Sequence, residues 1–313
     1  MIVELGTPYL EPGASAIDNA GSPLEVDIVG TVDDLMGTYS VTYTATDSAF
    51  NSSSVTRTVT VVSFDTSRKP LDASKWHHQT VIPNGRNWFN NEQQHYTDRL
   101  QNSYISGGAL KIVAKKEQYS NAGVTKQYTS ARLNSKFAFT YGRVEVRAKM
   151  PTGHGTWPAI WMLGKNITER GAYWETEGYG TTSWPACGEI DILEHWGRNQ
   201  NYVQSAIHTP SSHGATVNHG GKYNATTSSN FHVYSMDWTA ERMVFAVDGI
   251  EHYTYNPVEK NADTWPFDAD QFLLLNVAIE SGIDPNFVES AMEVDYVRVY
   301  DSNDQLIWFD EFD

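Results

Sequence analysis

The alternation of apolar and polar residues predicts β-strands along most of the chain. Residues 38–47 and 54–62 alternate with a period of two, are rich in Thr and Val, and flank a polar turn. Strands with the same period are predicted farther along, at 142–150, 231–238, 243–247 and 294–300. Because no amphipathic helix of any length accompanies them, the sequence predicts an all-β fold dominated by a large β-sandwich.

The texture of the sequence changes near residue 63, which predicts two domains. Residues 1–63 contain short β-branched strands and no Trp, whereas Trp recurs from Trp76 onward. A unit of this size and pattern is typical of a small β-sandwich. Its segments GTYSVTYTATDSAFN and SVTRTVTVV resemble bacterial immunoglobulin-like (Ig-like) modules. We interpret this domain as a spacer, with glycan binding as the alternative.

The charge balance excludes several classes of partner. The chain carries 38 acidic and 22 basic side chains, for a net charge of -16. We therefore expect no nucleic-acid or anionic-membrane partner, because no basic stripe exists to meet phosphates. No run of eighteen apolar residues occurs, so no membrane span is predicted. The single cysteine, Cys187, excludes an internal disulfide.

The first residues show neither the basic nor the apolar region of an export signal. The protein is then either cytoplasmic or exported with its signal removed. We expect the second, a secreted or cell-surface protein in which Met1 is an expression start.

Three acids in the segment GEIDILEH are the main chemical feature of the sequence. On a regular strand Glu189 and Asp191 share a face, and Glu194 joins them only if one extra residue is bulged within 192–193. The Cα atoms of Glu189 and Glu194 are then roughly 13 Å apart. Their side chains could close to the about 5–5.5 Å carboxyl separation of a retaining glycosidase. The alternatives are an acidic strand that faces water or a metal site.

The segment GEIDILEHWG resembles the signature of glycoside hydrolase family 16, in the bulged form of laminarinases and agarases. Further resembling segments run from Phe64 to Tyr300, among them NNEQQHYTD, YGRVEVRAKMPTGHGTWPAIWMLG and MEVDYVRVY. The resemblance implies a β-jelly-roll with a concave glycan cleft. It also implies that Glu189 is the nucleophile, Glu194 the general acid/base and Asp191 their helper.

The same resemblance suggests which residues bind substrate. Indole rings offer large rigid surfaces for sugar rings, and Trp157, Trp161 and Trp184 flank the acidic strand, with core packing as the alternative for Trp161. Family positions that bind sugar hydroxyls or line the cleft are matched by Asn90, Arg132 and His208.

The long loop 164–187 precedes the acidic strand, and long loops are often functional. It contains Tyr173, Trp174 and Tyr179. We expect Trp174 or Tyr179 to line one end of the cleft and narrow it.

Metal binding is expected only away from the chemistry. The resemblance implies a structural Ca²⁺ held by side-chain and main-chain oxygens of Asp295 and by the carbonyls of Gly108 and Glu311. Ligation by oxygen alone suits such a hard cation. We expect no cofactor for catalysis.

The order of segments differs from that of the resembled family. A strand like W-x-D-E-F usually precedes the segment that matches Leu71–Trp76, but here a similar strand, QLIWFDEFD, occupies residues 305–313. Phe64 and Asp65 repeat the closing Phe-Asp. We therefore predict a circularly permuted domain, 64–313, whose first strand is supplied by 305–313. The rival interpretation is a dangling start of a second module.

Together these features predict a retaining endo-β-1,3-glucanase that acts as a monomer on laminarin-type polysaccharide. The alternatives are a family 16 hydrolase of another polysaccharide, such as mixed-linkage glucan or agarose, a non-catalytic glucan-binding protein, or a structural surface module. The negative charge disfavours sulfated chains.

Overall fold

The computed structural model describes residues 1–5, 8–33, 35–62 and 68–313. The chain divides into two compact units, Met1–Thr66 and Ser67–Asp313. The predicted boundary at 63/64, together with Phe64 and Asp65, lies outside the described residues. Both units consist almost entirely of strands, so the predicted all-β class is confirmed. Within the described residues, no helix has the length and apolar character needed to cross a membrane.

The smaller unit contains two small sheets and has its own core. Its strands are β1 (Ile2–Glu4), β2 (Ala16–Ile17), β3 (Pro23–Leu24), β4 (Val26–Val29), β5 (Gly37–Thr46) and β6 (Ser52–Val62). Four of them form a sheet in the order β1-β6-β5-β4, and β2 pairs with β3. Alternation along β5 and β6 turns Val41, Tyr43, Val59 and Val61 into the core. The two strands predicted in this unit are therefore observed.

The larger unit is a sandwich of two sheets. The outer sheet contains β8 (Gln94–Tyr96), β9 (Ser103–Ser106), β10 (Ala109–Asn121), β11 (Val124–Ser130), β13 (Gly142–Lys149), β18 (His232–Trp238), β19 (Met243–Val247), β20 (Ile250–Tyr255), β22 (Glu289–Tyr300) and β23 (Leu306–Asp310). The inner sheet contains β7 (Trp76–His78), β12 (Arg132–Phe139), β14 (Thr156–Gly164), β15 (Glu189–His195), β16 (Tyr202–His208), β17 (His219–Tyr223) and β21 (Gln271–Ile279). Helical segments are short: α1 (Tyr173–Thr176) and the 3-10 turns Phe89–Asn91 and Gly197–Asn199.

The core lies between these two sheets. Strand β13 alternates strictly, with Val144 and Val146 buried against the inner sheet and Arg143 and Glu145 partly exposed on the other face. Strand β21 lies inside the inner sheet between β14 and β12, and all nine of its residues are buried. Each fully buried aliphatic side chain contributes about 1.5–3 kcal/mol. Packing against the outer sheet therefore holds the inner sheet in place. The face of the inner sheet that points away from the core keeps a fixed shape as a result.

The C-terminal strand β23 belongs to this sandwich. It pairs antiparallel with β22, and the Asp310 carboxylate accepts a hydrogen bond of 2.8 Å from the Trp76 indole. The Trp76 ring also stacks on Phe312, with centroids 6.2 Å apart. Residues 305–313 therefore lie within the domain that contains Trp76, which contradicts the rival interpretation of a dangling segment.

Candidate active site

The acidic strand β15 contains the predicted bulge. Its partner β14 pairs Trp161 with Asp191 but the preceding Ile160 with Leu193, so Ile192 has no partner there. The register against β16 shifts at the same place. The hydroxyl of Ser205 donates a 2.7 Å hydrogen bond to the carbonyl of Ile192, which satisfies the group that the bulge removes from the ladder.

Because of this bulge, all three carboxylates line one cavity of about 790 Å³ on the inner sheet. The structure brings together every predicted catalytic and substrate-binding residue there: Glu189, Asp191, Glu194, Asn90, Arg132, Trp157, Trp161, Trp184 and His208. Of the described residues that line this cleft, Arg132 is the one with a permanent positive charge.

Each of the two glutamates receives a hydrogen bond from an indole. Trp184 Nε1 donates to Glu189 Oε2 and Trp157 Nε1 donates to Glu194 Oε1, both at 3.1 Å. These contacts fix the carboxylates and the faces of both rings at once. The predicted cleft tryptophans therefore hold the acids as well as facing the substrate space.

His208 lies against the other side of the acids. Its Nε2 is 3.1 Å from Asp191 Oδ2 and 3.5 Å from Glu189 Oε1. The backbone N–H of Gly214 donates to its Nδ1 at 3.1 Å. Because Nδ1 accepts from Gly214, a neutral His208 carries its hydrogen on Nε2, on the side of the carboxylates, but Asp191 Oδ2 has no hydrogen-bond partner among the described residues.

Burial makes these acids hold their protons. It raises the pKa of Asp191 to about 8 and that of Glu194 to about 8. Burial, followed by repulsion from Asp191, also raises the pKa of Glu189 well above its usual value. Two buried carboxyls this close cannot both ionise without a large electrostatic cost. The site therefore contains proton donors at neutral pH.

Arg132 is engaged by protein groups. Its Nη2 donates to Glu169 Oε1 at 2.7 Å and its Nε donates to Gln79 Oε1 at 3.0 Å. The guanidinium lies 4.8 Å from the centroid of the Trp161 ring. Only 3% of the Arg132 side chain and 8% of the Glu169 side chain are exposed. Arg132 thus faces the cleft as part of a buried ion pair that supports Trp161.

A second polar chain holds the same indole. Trp161 Nε1 donates to Asn276 Oδ1 at 2.7 Å, Asn276 Nδ2 donates to the Tyr96 hydroxyl at 3.1 Å, and that hydroxyl donates to Glu92 Oε2 at 2.9 Å. Burial raises the pKa of Glu92. This network makes Trp161 a fixed wall of the cleft.

The sequence did not identify several residues that line the cleft: Phe89, Glu92, Glu169, Trp196, Gln204, His219 and Asn276. Glu92 and Trp196 lie in segments quoted for the resemblance, and Glu169 lies in the long loop. None of these positions carries a periodic signal that gives the direction of its side chain.

The loop 164–187 contributes differently from the prediction. Its Glu169 and Trp184 line the cleft, but Trp174 and Tyr179 are not among the lining residues. Those two rings contact each other, with centroids 5.4 Å apart, and both cover the Lys165 ammonium. The expectation that one of them narrows the cleft was wrong, because packing against Lys165 holds them elsewhere.

The residues predicted to bind calcium lie on the outer sheet. Gly108 is in the turn between β9 and β10, and Asp295 lies where the register between β13 and β22 shifts. The Asp295 carboxylate accepts a 2.5 Å hydrogen bond from Arg147. Glu311 follows β23 and pairs with Arg298 through both carboxylate oxygens.

Comparisons with known proteins agree with this geometry. Residues 89–298 match the model of glycosyl hydrolases family 16, and residues 1–61 match that of the bacterial surface protein Ig-like domain. The "Beta-glucanase" of Rhodothermus marinus is 39% identical over 254 residues, which cover 76% of this chain and 82% of the relative.

Two further relatives match the same region. The "Glucan endo-1,3-beta-glucosidase A1" of Niallia circulans is 36% identical over 74% of this chain, which spans 36% of that protein. A solved LamA variant from Z. galactanivorans, in complex with laminaritriose and laminaritetraose, is 46% identical with a TM-score of 0.68. The match covers 74% of this chain and 94% of that one.

Proposed function

The chain belongs to glycosyl hydrolases family 16, and from this premise we propose that it is a retaining endo-β-1,3-glucanase. The observation that carries the proposal is the bulged strand that turns Glu189, Asp191 and Glu194 into one cleft. The two relatives named as a beta-glucanase and a glucan endo-1,3-beta-glucosidase, together with the LamA variant bound to laminari-oligosaccharides, supply the substrate class.

In the proposed reaction Glu189 is the nucleophile. Its carboxylate attacks the anomeric carbon and forms a glycosyl ester, which water then hydrolyses with net retention. The nucleophile must be ionised. The indole N–H of Trp184 donates to Glu189 and His208 lies against it, and both oppose the effect of burial on the Glu189 pKa and favour its charged form.

Glu194 is the general acid and then the general base. Burial raises its pKa to about 8, so it carries a proton at neutral pH. It gives this proton to the leaving oxygen and recovers one from the attacking water. The indole of Trp157 holds the Glu194 carboxyl at 3.1 Å and limits the upward shift of its pKa.

The charges of the cleft favour a neutral polysaccharide. Five carboxyl groups line it, from Glu92, Glu169, Glu189, Asp191 and Glu194, and the guanidinium of Arg132 is already paired. A sulfate group would lose its hydration here beside the ionised Glu189, with no free cation among the described lining residues to pair with it. Neutral glucan is therefore favoured, and mixed-linkage glucan remains the nearest alternative substrate.

The test is release of reducing ends from a panel of laminarin, lichenan, agarose and carrageenan. We expect laminarin to be cleaved fastest and carrageenan not at all. Proton NMR of the first-formed product should show the β-anomer. No cleavage of any member would favour a glucan-binding protein, and an α-anomer would exclude retention.

We also propose a structural Ca²⁺ on the outer sheet, bound by Asp295, Gly108 and Glu311. The carbonyl oxygens of Gly108 and Glu311 lie outside the strands and accept none of the described backbone hydrogen bonds. Carbonyl and carboxylate oxygens are the ligands that this ion prefers, and Ca²⁺ would have to share the Asp295 carboxylate with Arg147. Removing it with EDTA should lower Tm by several degrees, since a ligand bound only to the folded state stabilises it by mass action. An unchanged Tm would contradict this.

We further propose that the larger unit is a circular permutant of the family arrangement, secreted or displayed at the cell surface and active as a monomer. The pairing of β23 with β22 and the contact of Asp310 with Trp76 support the permutation. A gene in which residues 305–313 precede residue 68 should yield a protein with unchanged Tm and turnover. Light scattering should give the molecular mass of a single chain if the protein is a monomer.

A further inference from the structure

A second cavity, of about 370 Å³, lies on the far side of one wall of the cleft. One side is formed by β11 and the other by the segment that leads into β8, and these two strands are paired in parallel. Four residues with carboxamide side chains border it: Asn87, Asn91, Gln93 and Gln127. Carboxamides both donate and accept hydrogen bonds, which complements the hydroxyls of a sugar.

The wall between the two cavities is a strained segment. Phe89, Asn90 and Glu92 line the cleft, whereas Asn91 and Gln93 line the second cavity. Asn90 and Asn91 have φ values of 55° and 58°. Two successive non-glycine residues in the left-handed region cost about 1–3 kcal/mol each, and such strain concentrates at ligand sites. The strained turn directs alternate side chains into the two cavities.

Lys126 also lines the second cavity, and two hydrogen bonds hold its ammonium group in place. Only 9% of Lys126 is exposed. Its Nζ donates to Asn87 Oδ1 at 3.2 Å and to the carbonyl of Glu92 at 2.8 Å. An ammonium has three donors, so one remains for a ligand. Burial lowers the pKa of Lys126, which is consistent with a desolvated position.

We infer that this second cavity is a holding site for neutral β-glucan outside the catalytic cleft. The inference rests on the proposed function. The half-buried ring of Tyr128 offers an apolar surface, and no carboxylate is found among the described residues that line the cavity. A polysaccharide held here and in the cleft gains affinity from two contacts, whereas a short oligosaccharide does not.

The test compares the Gln93→Ala/Gln127→Ala double variant of the full chain with the parent. The KM for laminarin should rise about fivefold, as expected for the loss of one or two hydrogen bonds, while kcat and Tm stay unchanged. The KM for laminaritetraose should not change. Gln305→Ala removes an exposed carboxamide from the β22–β23 loop and serves as the matched control.

An equal change for both substrates, or none for either, would overturn the inference. If the parent cleaves no glucan, the proposed function fails first. The holding site can then still be examined by NMR of the side-chain amides of Gln93 and Gln127. Shifts with laminaritetraose in the inactive Glu189→Gln chain support the site, whereas shifts only with sodium sulfate reveal an anion site and overturn it.

Discussion

Carboxylates lie on both sheets of the larger unit, but their surroundings differ. On the outer sheet Glu293 pairs with Lys111 and Lys149, Asp295 with Arg147, and Glu311 with Arg298. On the inner sheet Glu189, Asp191 and Glu194 share a cleft with no free cation among the described residues, and their pKa values are raised. On the outer sheet each of these carboxylates is paired with a Lys or Arg side chain, whereas the three acids of the cleft have no such partner in the part of the chain that the structure describes.

This difference shows that the fold tolerates electrostatically unfavourable carboxyl groups in the cleft. Hydrogen bonds to Lys111 and Lys149 outweigh burial and lower the pKa of Glu293. In the cleft, the indole N–H groups of Trp157 and Trp184 orient the two glutamates without neutralising them. A proton donor can work beside a nucleophile only if the two carboxyls are held in place without being paired with cations. The packed core beneath the inner sheet offsets the electrostatic cost of this arrangement.

The same substitution on the two sheets should have opposite effects. Glu189→Gln should reduce kcat by about 10⁴-fold or more, because an amide cannot form the glycosyl ester. It should also raise the free energy of unfolding by about 1 kcal/mol, since repulsion with Asp191 is removed. Activity assays and denaturant titrations measure both effects.

Glu293→Gln is the matched control on the outer sheet. It should keep its kcat and lose about 0.5–1 kcal/mol, because two partly exposed ammonium groups lose their partner. Loss of activity in Glu293→Gln, or more than a few per cent of activity in Glu189→Gln, would remove the distinction between the sheets.

The pH dependence of stability should have opposite signs for the two sheets. The folded-state pKa of Glu194, about 8, lies above its unfolded value near 4.3. The contribution of Glu194 to the free energy of unfolding is therefore fully present below pH 4.3. It is lost as pH rises to about 8, by up to about 1.4 kcal/mol per pH unit. The lowered pKa of Glu293 gives a contribution that is lost as pH falls through that value.

Trp fluorescence in denaturant can measure the stability of the larger unit at each pH, because all ten Trp residues lie at position 76 or beyond. Between pH 5 and 8 the parent should lose stability more steeply than Glu194→Gln, whose side chain cannot ionise. Parallel curves would show that the Glu194 pKa is not raised. The kcat/KM of the parent should also fall above about pH 8.

The sequence predicted the elements that obey a period, together with the bulge. Alternation located β5, β6 and β13, and the odd spacing of Glu194 required the extra residue that Ile192 provides. The bulge then accounts for the shared face of the three acids. These features were predictable because strand geometry fixes side-chain direction every second residue.

Contacts made by irregular segments could not be predicted in this way. Glu169 reaches Arg132 across 37 positions, and nothing in the loop pattern distinguishes it from Glu177. The rings of Trp174 and Tyr179 were expected in the cleft but cover Lys165. In a loop the direction of a side chain depends on tertiary packing, which the local sequence does not encode.

A smaller effect is expected from Glu169, the cleft carboxylate that is paired with Arg132. Glu169→Gln should raise the KM for laminarin about tenfold with a small change in kcat, because Arg132 loses its charged partner and no longer fixes Trp161. Glu177→Gln, an exposed acid in the same loop, is the control. A lower kcat at constant KM would instead assign Glu169 to the chemistry.

The smallest effect should come from a single compensated pair on the outer sheet. Arg298 donates from Nε and Nη2 to the two carboxylate oxygens of Glu311, at 2.8 and 2.9 Å, and so ties the end of β23 to β22. Arg298→Lys keeps the charge but loses the two-pronged geometry. About a third of each side chain is exposed, so the cost should be about 0.5 kcal/mol, or a Tm lower by about 1–2 °C. Turnover should not change, because the pair lies on the sheet opposite the cleft. Differential scanning calorimetry with parallel laminarin assays measures both. A loss of several kcal/mol would mean that the outer sheet depends on individual ion pairs, and the contrast drawn between the two sheets would then be wrong.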